Sequence, residues 1–303
     1  MDGKQLQTQY KEHLSDFNNW NQKEHAEDFI LYPKNIGYHL CIDETALSKG
    51  ELYTILTNRD KHGRKGTIVA IVKGTKAEDV INVLLKIDAD KRNQVKEITL
   101  DMAGSMQKIA KRCFPGAMQV VDRFHVSKLV YEAVQDLRIA YRWQVMKDEN
   151  RKIKEAKAKG ESYEPKVFGN GDTLRQLLAR SRYLLFKAPD KWLQSQKVRA
   201  KLLFEQFPDI KSVYYYALRL GKIFSDYTDK DVARAKLALW YNEIEEFGYD
   251  TFTTVANSIE NHYERILNYF VNRSTNAARS EEHTSELQTQ HDLVSRLLLK
   301  KKR

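Results

Sequence analysis

The sequence predicts an α/β fold: three antiparallel strands, then two helix-to-strand crossovers, then a large helical region. Two observations carry this. Five short apolar runs lie between residues 38 and 122, separated first by polar turns and then by helix-patterned stretches. From residue 124 onward such runs are scarce, and Leu, Tyr, Phe and Trp recur at three- and four-residue spacing instead.

Residues 1–37 are polar with scattered aromatics (Phe17, Trp20, Phe29, Tyr32) and end in a Pro33-to-Gly37 turn, so a helical lead-in is expected there. Residues 38–43, 51–57 and 66–72 read as strands joined by short polar connections, hence antiparallel. Val80, Ile81, Leu84 and Leu85 mark a helix over 77–87, and 97–101 follow as the fourth strand. A helical crossover implies a parallel partner. A second helix over 102–113 is stopped by Pro115, and 117–122 supply the fifth strand. The order βββαβαβ is that of a ribonuclease H-like core, in which the first and fourth strands are central neighbours.

Residues 124–159 read as one long charged helix or a pair, and further helices are expected over 173–187, 191–207, 210–224, 231–247 and 252–270. The expected organisation is a helical lead-in (1–37), the α/β core (38–130), an all-helical insertion (131–260), a return towards the core (261–278) and a tail (279–303).

An apolar content of 42% over 303 residues is enough for a core, which excludes a disordered chain. The net charge of +10 favours a polyanionic partner, although a merely solvated basic surface gives the same number. With only Cys41 and Cys113, cysteine builds neither a disulfide framework nor a four-ligand zinc site, and a reducing, cytoplasmic setting is expected. Apolar runs such as residues 68–72 are far too short for a membrane span, and no signal core follows Met1.

Asp43 and Asp101 each close an apolar run on strands expected to be neighbours. A lone aspartate at a strand end is usually a turn or cap former, but two in matching register are how a chain gathers carboxylates for two divalent metal ions acting on a phosphodiester. Glu44 should point to the opposite face, and Asp60, Asp79, Asp88 and Asp90 read as surface residues. Asp122-Arg-Phe-His125 is a good helix start. It is equally a place for an imidazole that orients a phosphate, contacts the departing strand or holds Asp122. Basic clusters at 59–65, 108–112, 138–142 and 175–182, interleaved with Tyr141, Trp143 and Tyr183, suit nonspecific DNA contact.

The stretches Cys-Ile-Asp43-Glu-Thr, Thr-Leu-Asp101-Met, Phe-Pro115-Gly-Ala and Val-Asp122-Arg-Phe-His125-Val resemble the DDE transposases of bacterial insertion sequences, ISL-three group, over roughly residues 1–278. The resemblance implies metal-dependent DNA cleavage and strand transfer, with two divalent ions, Mg2+ or Mn2+, held by Asp43 and Asp101. It implies that Asp122 and His125 form an Asp-x-x-His element near the site, and that Arg273 and Asn276 lie near the site or on DNA. It further implies transposon-end and target DNA as partners and a homo-oligomer assembled on DNA.

Residues 268–277 are similar to the family stretch that leads into the last core helix, whose acidic residue comes four positions after Asn276. That position is Ser280, so the third carboxylate is absent and the chain as written is expected to be inactive. Residues 279–303 resemble a translated sequencing adapter, so the final core helix is expected to be missing or replaced by an artefactual tail. Only 42 residues precede Asp43, so end recognition is expected from a separate polypeptide, unless the element is split or degraded. Two other readings stay open. A noncatalytic remnant would bind DNA or oligomerise without metal-dependent cleavage, and a ribonuclease H-like nuclease would act on branched or hybrid substrates.

Overall fold

The computed structural model describes residues 3–273 except 49, 247 and 249, so Asn276, Ser280 and the tail 279–303 lie outside the described residues. The chain divides into two compact units, one holding residues up to Asp122 and the other Arg123–Arg273.

The first unit opens with helix α1 (Gly3–Gln9), followed by short π- and 3-10-helical turns. Six strands follow: β1 (Phe29–Leu31), β2 (His39–Ser48), β3 (Glu51–Asn58), β4 (Ile68–Lys73), β5 (Glu97–Leu100) and β6 (Met118–Val121). Helices α2 (Ala77–Leu84) and α3 (Ala89–Asn93) connect β4 to β5, and α4 (Gly104–Cys113) connects β5 to β6. The sheet order is β1-β4-β3-β2-β5-β6. Strands β1 to β4 pair antiparallel, whereas β2–β5 and β5–β6 are parallel because helices return the chain to the same edge.

Alternation along the strands sorts residues to two faces. Leu40 and Ile42 of β2 join Ile98 and Leu100 of β5 in one core with Val80, Ile81 and Leu84 of α2 and Met106, Ile109 and Ala110 of α4. A smaller cluster of Ile30, Tyr53 and Ile71 is covered by Trp20, Ala26 and Tyr32 from the lead-in. The lead-in is therefore not purely helical. Phe29–Leu31 pairs with β4 and adds a sixth strand, because Ile30 gains a buried place only once Ile71 stands opposite it.

Two further differences bear on the site. Asp43 is not at the end of β2, which runs on to Ser48 paired with β3 alone, while pairing to β5 stops at Cys41↔Thr99. The β2–β3 hairpin thus extends past the ends of β5 and β6. The charged connector before the fourth strand also contains α3, which Asp88 precedes and Lys91 and Arg92 complete, the charge order that suits a helix.

The second unit begins with α5 (Arg123–Ala158), a single helix, and continues with α6 (Leu174–Arg180), α7 (Gln194–Gln206), α8 (Pro208–Asp226), α9 (Lys230–Glu246), α10 (Asp250–Asn261), α11 (Tyr263–Leu267) and α12 (Tyr269–Asn272). Residues 123–130 are the first turns of α5, and Tyr269 and Phe270 pack on Phe224 of α8, within the helical unit. An interior of aromatic and aliphatic side chains from α5, α8, α9 and α10 holds it together, with Tyr216 stacked on Trp240 at 4.7 Å.

Candidate active site

Strand register gathers the predicted aspartates of the first unit. Cys41 is opposite Thr99, and two residues further along each chain come Asp43 and Asp101. Leu100 is opposite Val121, and the Asp122 N–H donates to the Leu100 carbonyl at 3.0 Å, so the ladder carries Asp122 to the end of β6 beside Asp101. Neighbouring strands are about 4.8 Å apart, and residues at equal rank on parallel strands share a face. Asp43, Asp101 and Asp122 therefore form a row across β2, β5 and β6, on the face opposite the Leu40, Ile42, Ile98 and Leu100 core.

Local bonds fix two of the three. Asp43 Oδ1 accepts the Glu44 N–H at 2.8 Å, and Asp101 Oδ1 accepts the Ala103 N–H at 2.7 Å, holding the turn that starts α4. Both carboxylates are half-buried, whereas Asp122 is 2% exposed. Two neighbours register the negative field. Burial, then Asp43 and Asp122, push the Cys41 thiol up, with Thr57 and Arg59 acting the other way. Burial, then Asp101 and Asp43, push the Glu44 carboxyl up. Glu44, expected to be solvated or a supporting group on the other face, thus stands in the same electrostatic field as both aspartates.

The same face carries a compensated ion pair below the row. Arg59 donates to Glu97 Oε1 at 2.6 Å and to the Thr99 hydroxyl at 2.8 Å, which lets Glu97 remain 1% exposed. Asp60, expected at the surface, buttresses the start of β2: it shares a 2.7 Å hydrogen bond with His39 and accepts the N–H groups of Tyr38 and His39. Burial works against its ionisation, but the His39 bonds outweigh this and hold its carboxyl below the usual range.

In the helical unit, His125 is half-buried in the first turn of α5, with its ring edge-on to Phe124 at 5.7 Å. Arg273 is engaged in holding the fold, for its guanidinium donates to the carbonyls of Tyr227, Phe224 and Ser225 where α8 ends. Sequence reasoning missed Glu44 as a neighbour of both aspartates, and missed the roles of Arg59 and Asp60. The only signal for Arg59 was a buried acid at Glu97 that needs a cation.

Among the described residues no group of three or more His, Cys, Asp or Glu side chains is placed to hold a metal ion. Two carboxylates nevertheless fit a hard divalent cation such as Mg2+, which binds through one or two protein carboxylates and takes its other oxygens from water and phosphate. The half-buried Asp43 and Asp101, each two residues past the Cys41↔Thr99 pair on neighbouring parallel strands, are the residues that would hold it.

A mixed six-stranded sheet with an aspartate row at the ends of its parallel strands, joined to a helical unit, is compatible with a ribonuclease H-like transposase fold. A family model described as Transposase, of the DDE type and ISL-three group, matches residues 40–289. The chain belongs to this transposase family, and DNA transposition is its function at that level. Neither among curated proteins nor among solved structures does any match the chain. Among the described residues no helix is long and apolar enough to cross a membrane.

Proposed function

We propose that the chain is the catalytic part of a DDE transposase, cutting transposon-end DNA and joining it to target DNA with Asp43 and Asp101 as metal-binding residues. The observation that carries this is their equal rank on one face of β2 and β5. Bound Mg2+ or Mn2+ would activate the attacking oxygen and stabilise the leaving one. The chain's own contribution is to hold two carboxylates at fixed spacing, with the Asp101 turn tied by Ala103 and the Asp43 backbone paired with Ile55 of β3 just past the last β2–β5 pair.

Asp122 and His125 follow the second aspartate as the family element does, and we assign them to support the site and to contact DNA. Arg273 serves chiefly to close the end of α8. Ser280 at the third carboxylate position makes this chain weakly active or inactive, and residues 279–303 are read as foreign to the natural protein. DNA is the partner, self-association on DNA completes the assembly, and the setting is cytoplasmic.

The test restores the native codons after Ala278, or introduces Ser280→Glu, and measures nicking of transposon-end DNA in Mg2+ or Mn2+. Nicking that disappears in Asp43→Asn and in Asp101→Asn supports the assignment, and unchanged nicking in either variant discards it. The absent acid at Ser280 favours one second reading, a noncatalytic remnant that binds DNA. DNA binding without metal-dependent nicking, even after restoration, is its signature.

A further inference from the structure

The helical unit contains a cleft of about 760 Å³, formed by one side of α5, the connection around residues 161–165 and the start of α6. Its cations are Arg142, Lys157 and Arg175, and Glu149 is among its acids. Among the described residues Glu149 reaches only Arg175, at 3.9 Å. Lys157 has no ion-pair partner among those residues, and the Nε of Arg142 is buried with no hydrogen-bond partner. A buried guanidinium nitrogen left unpaired costs free energy unless an acceptor arrives from outside.

Two further arginines, Arg138 and Arg182, are close enough for the charges of Arg142 and Arg182 to act on Arg138, and the acids of the cleft itself are Glu149 and Glu161. Arg138 donates to neutral acceptors, Gln135 Oε1 at 2.7 Å and the Leu178 carbonyl at 2.9 Å. Its pKa is held down by burial and then by the charges of Arg142 and Arg182. The basic segment 175–182 is otherwise partly used up, because Arg180 is paired with the buried Asp172. Large aromatic surface is exposed on the same helices and just beyond: Trp143 is 60% and Tyr183 69% exposed, with the Arg182 guanidinium over the Tyr183 ring at 5.4 Å. Exposed Trp and Tyr beside arginine form a surface for sugars and base edges.

We infer that this cleft is a DNA-contact site of the helical unit, in which Arg142, with Arg175 and Lys157, takes a backbone phosphate of duplex DNA. A guanidinium fork suits two phosphate oxygens, and the flanking aromatics suit a polymer that continues past the cleft. This rests on DNA being the partner of the chain.

The test measures binding of the full chain to mixed-sequence duplex DNA by fluorescence anisotropy across a salt series. The variants are Arg142→Lys, which keeps the charge but loses the fork, and the surface pair Lys157→Gln with Arg175→Gln, each checked by thermal melting. Affinity is expected to fall roughly five- to tenfold for each variant, and the salt slope of the pair to drop by about 1 for each phosphate it no longer neutralises. Folded variants that bind DNA with wild-type affinity and slope overturn this inference alone. A wild-type chain with no salt-dependent DNA binding overturns it together with the DNA-partner reading. Inorganic phosphate or pyrophosphate that raises the melting temperature through Arg142, with DNA binding unchanged in the variants, assigns the cleft to a small anion and overturns it as well.

Discussion

The two units treat charge in opposite ways. In the sheet unit, acids are brought together: strand register sets Asp43, Asp101 and Asp122 in a row, and Glu44 and Cys41 both respond to the accumulated negative field. In the helical unit the buried acid Asp172 is surrounded by Arg180, Arg199 and Asn170, while Arg142 lines a cleft with Lys157, Arg175, Glu149 and Glu161, its own Nε buried without a hydrogen-bond partner. Compensated charge holds a fold together, as Asp172 and Arg59–Glu97 do. The charge gathered at the sheet end and in the cleft is where the proposed cation and phosphate would bind.

The largest difference should be seen in chemistry. On the proposed metal role of these residues, Asp43→Asn or Asp101→Asn in the restored chain should lower nicking by about a thousandfold or more, the loss of several kcal/mol of transition-state stabilisation. Neither substitution should lower the melting temperature, because each relieves like-charge crowding. A nicking assay paired with thermal melting separates the two effects.

Asp172→Ala tests the compensated counterpart and should cost the helical unit about 3 kcal/mol in urea unfolding, because it leaves Arg199 and Arg180 without their buried acid. Burial opposes ionisation of Asp172, but hydrogen bonds from Arg199 and Arg180 outweigh it, so its folded pKa lies below the ordinary 3.8. That stability is present above the ordinary value and is lost as pH falls through the lower folded value. The gap between wild type and Asp172→Asn should therefore hold from pH 7 to pH 5 and close only below about pH 3.8.

A smaller effect is expected at the start of α6, where Thr173 and Gln176 form a reciprocal capping box beside the basic cleft. Thr173→Ala should cost about 1 kcal/mol in the same unfolding experiment. Smallest of all, Glu44→Gln in EDTA should raise the melting temperature modestly at pH 7. Glu44 has a raised folded pKa, so its contribution is present below the ordinary 4.5 and lost as pH rises, and the advantage of glutamine should vanish below pH 4.5. No gain at pH 7 would show that the acids are not crowded.

Much of the sheet was legible because its signal is local: β-branched runs, polar turns and helical crossovers leave one register that buries Leu40, Ile42, Ile98 and Leu100 together. The parallel neighbourhood of β2 and β5 followed from topology. Strand β1 was not legible, since three residues become a strand only against β4, although the apolar run Phe29-Ile-Leu-Tyr32 hinted at it. The extension of β2 past Asp43 was hidden by the polar Glu44-Thr45, whose partners Thr54 and Tyr53 come from the hairpin itself. Arginines were the least readable. Arg138 and Arg142 sit in one basic cluster, yet one is tied to Gln135 and Leu178 and the other lines a cleft, and helical spacing alone cannot separate those fates.

Whether Asp43 and Asp101 share one divalent ion is most directly read by replacing that ion with Fe2+ and generating hydroxyl radicals with ascorbate, which cut the backbone near the bound iron. The chain should be cut at two places, around residue 43 and around residue 101, with both cuts lost together in Asp43→Asn and suppressed by excess Mg2+. Cutting at only one of the two places, or a pattern that Asp43→Asn leaves unchanged, would contradict a shared site.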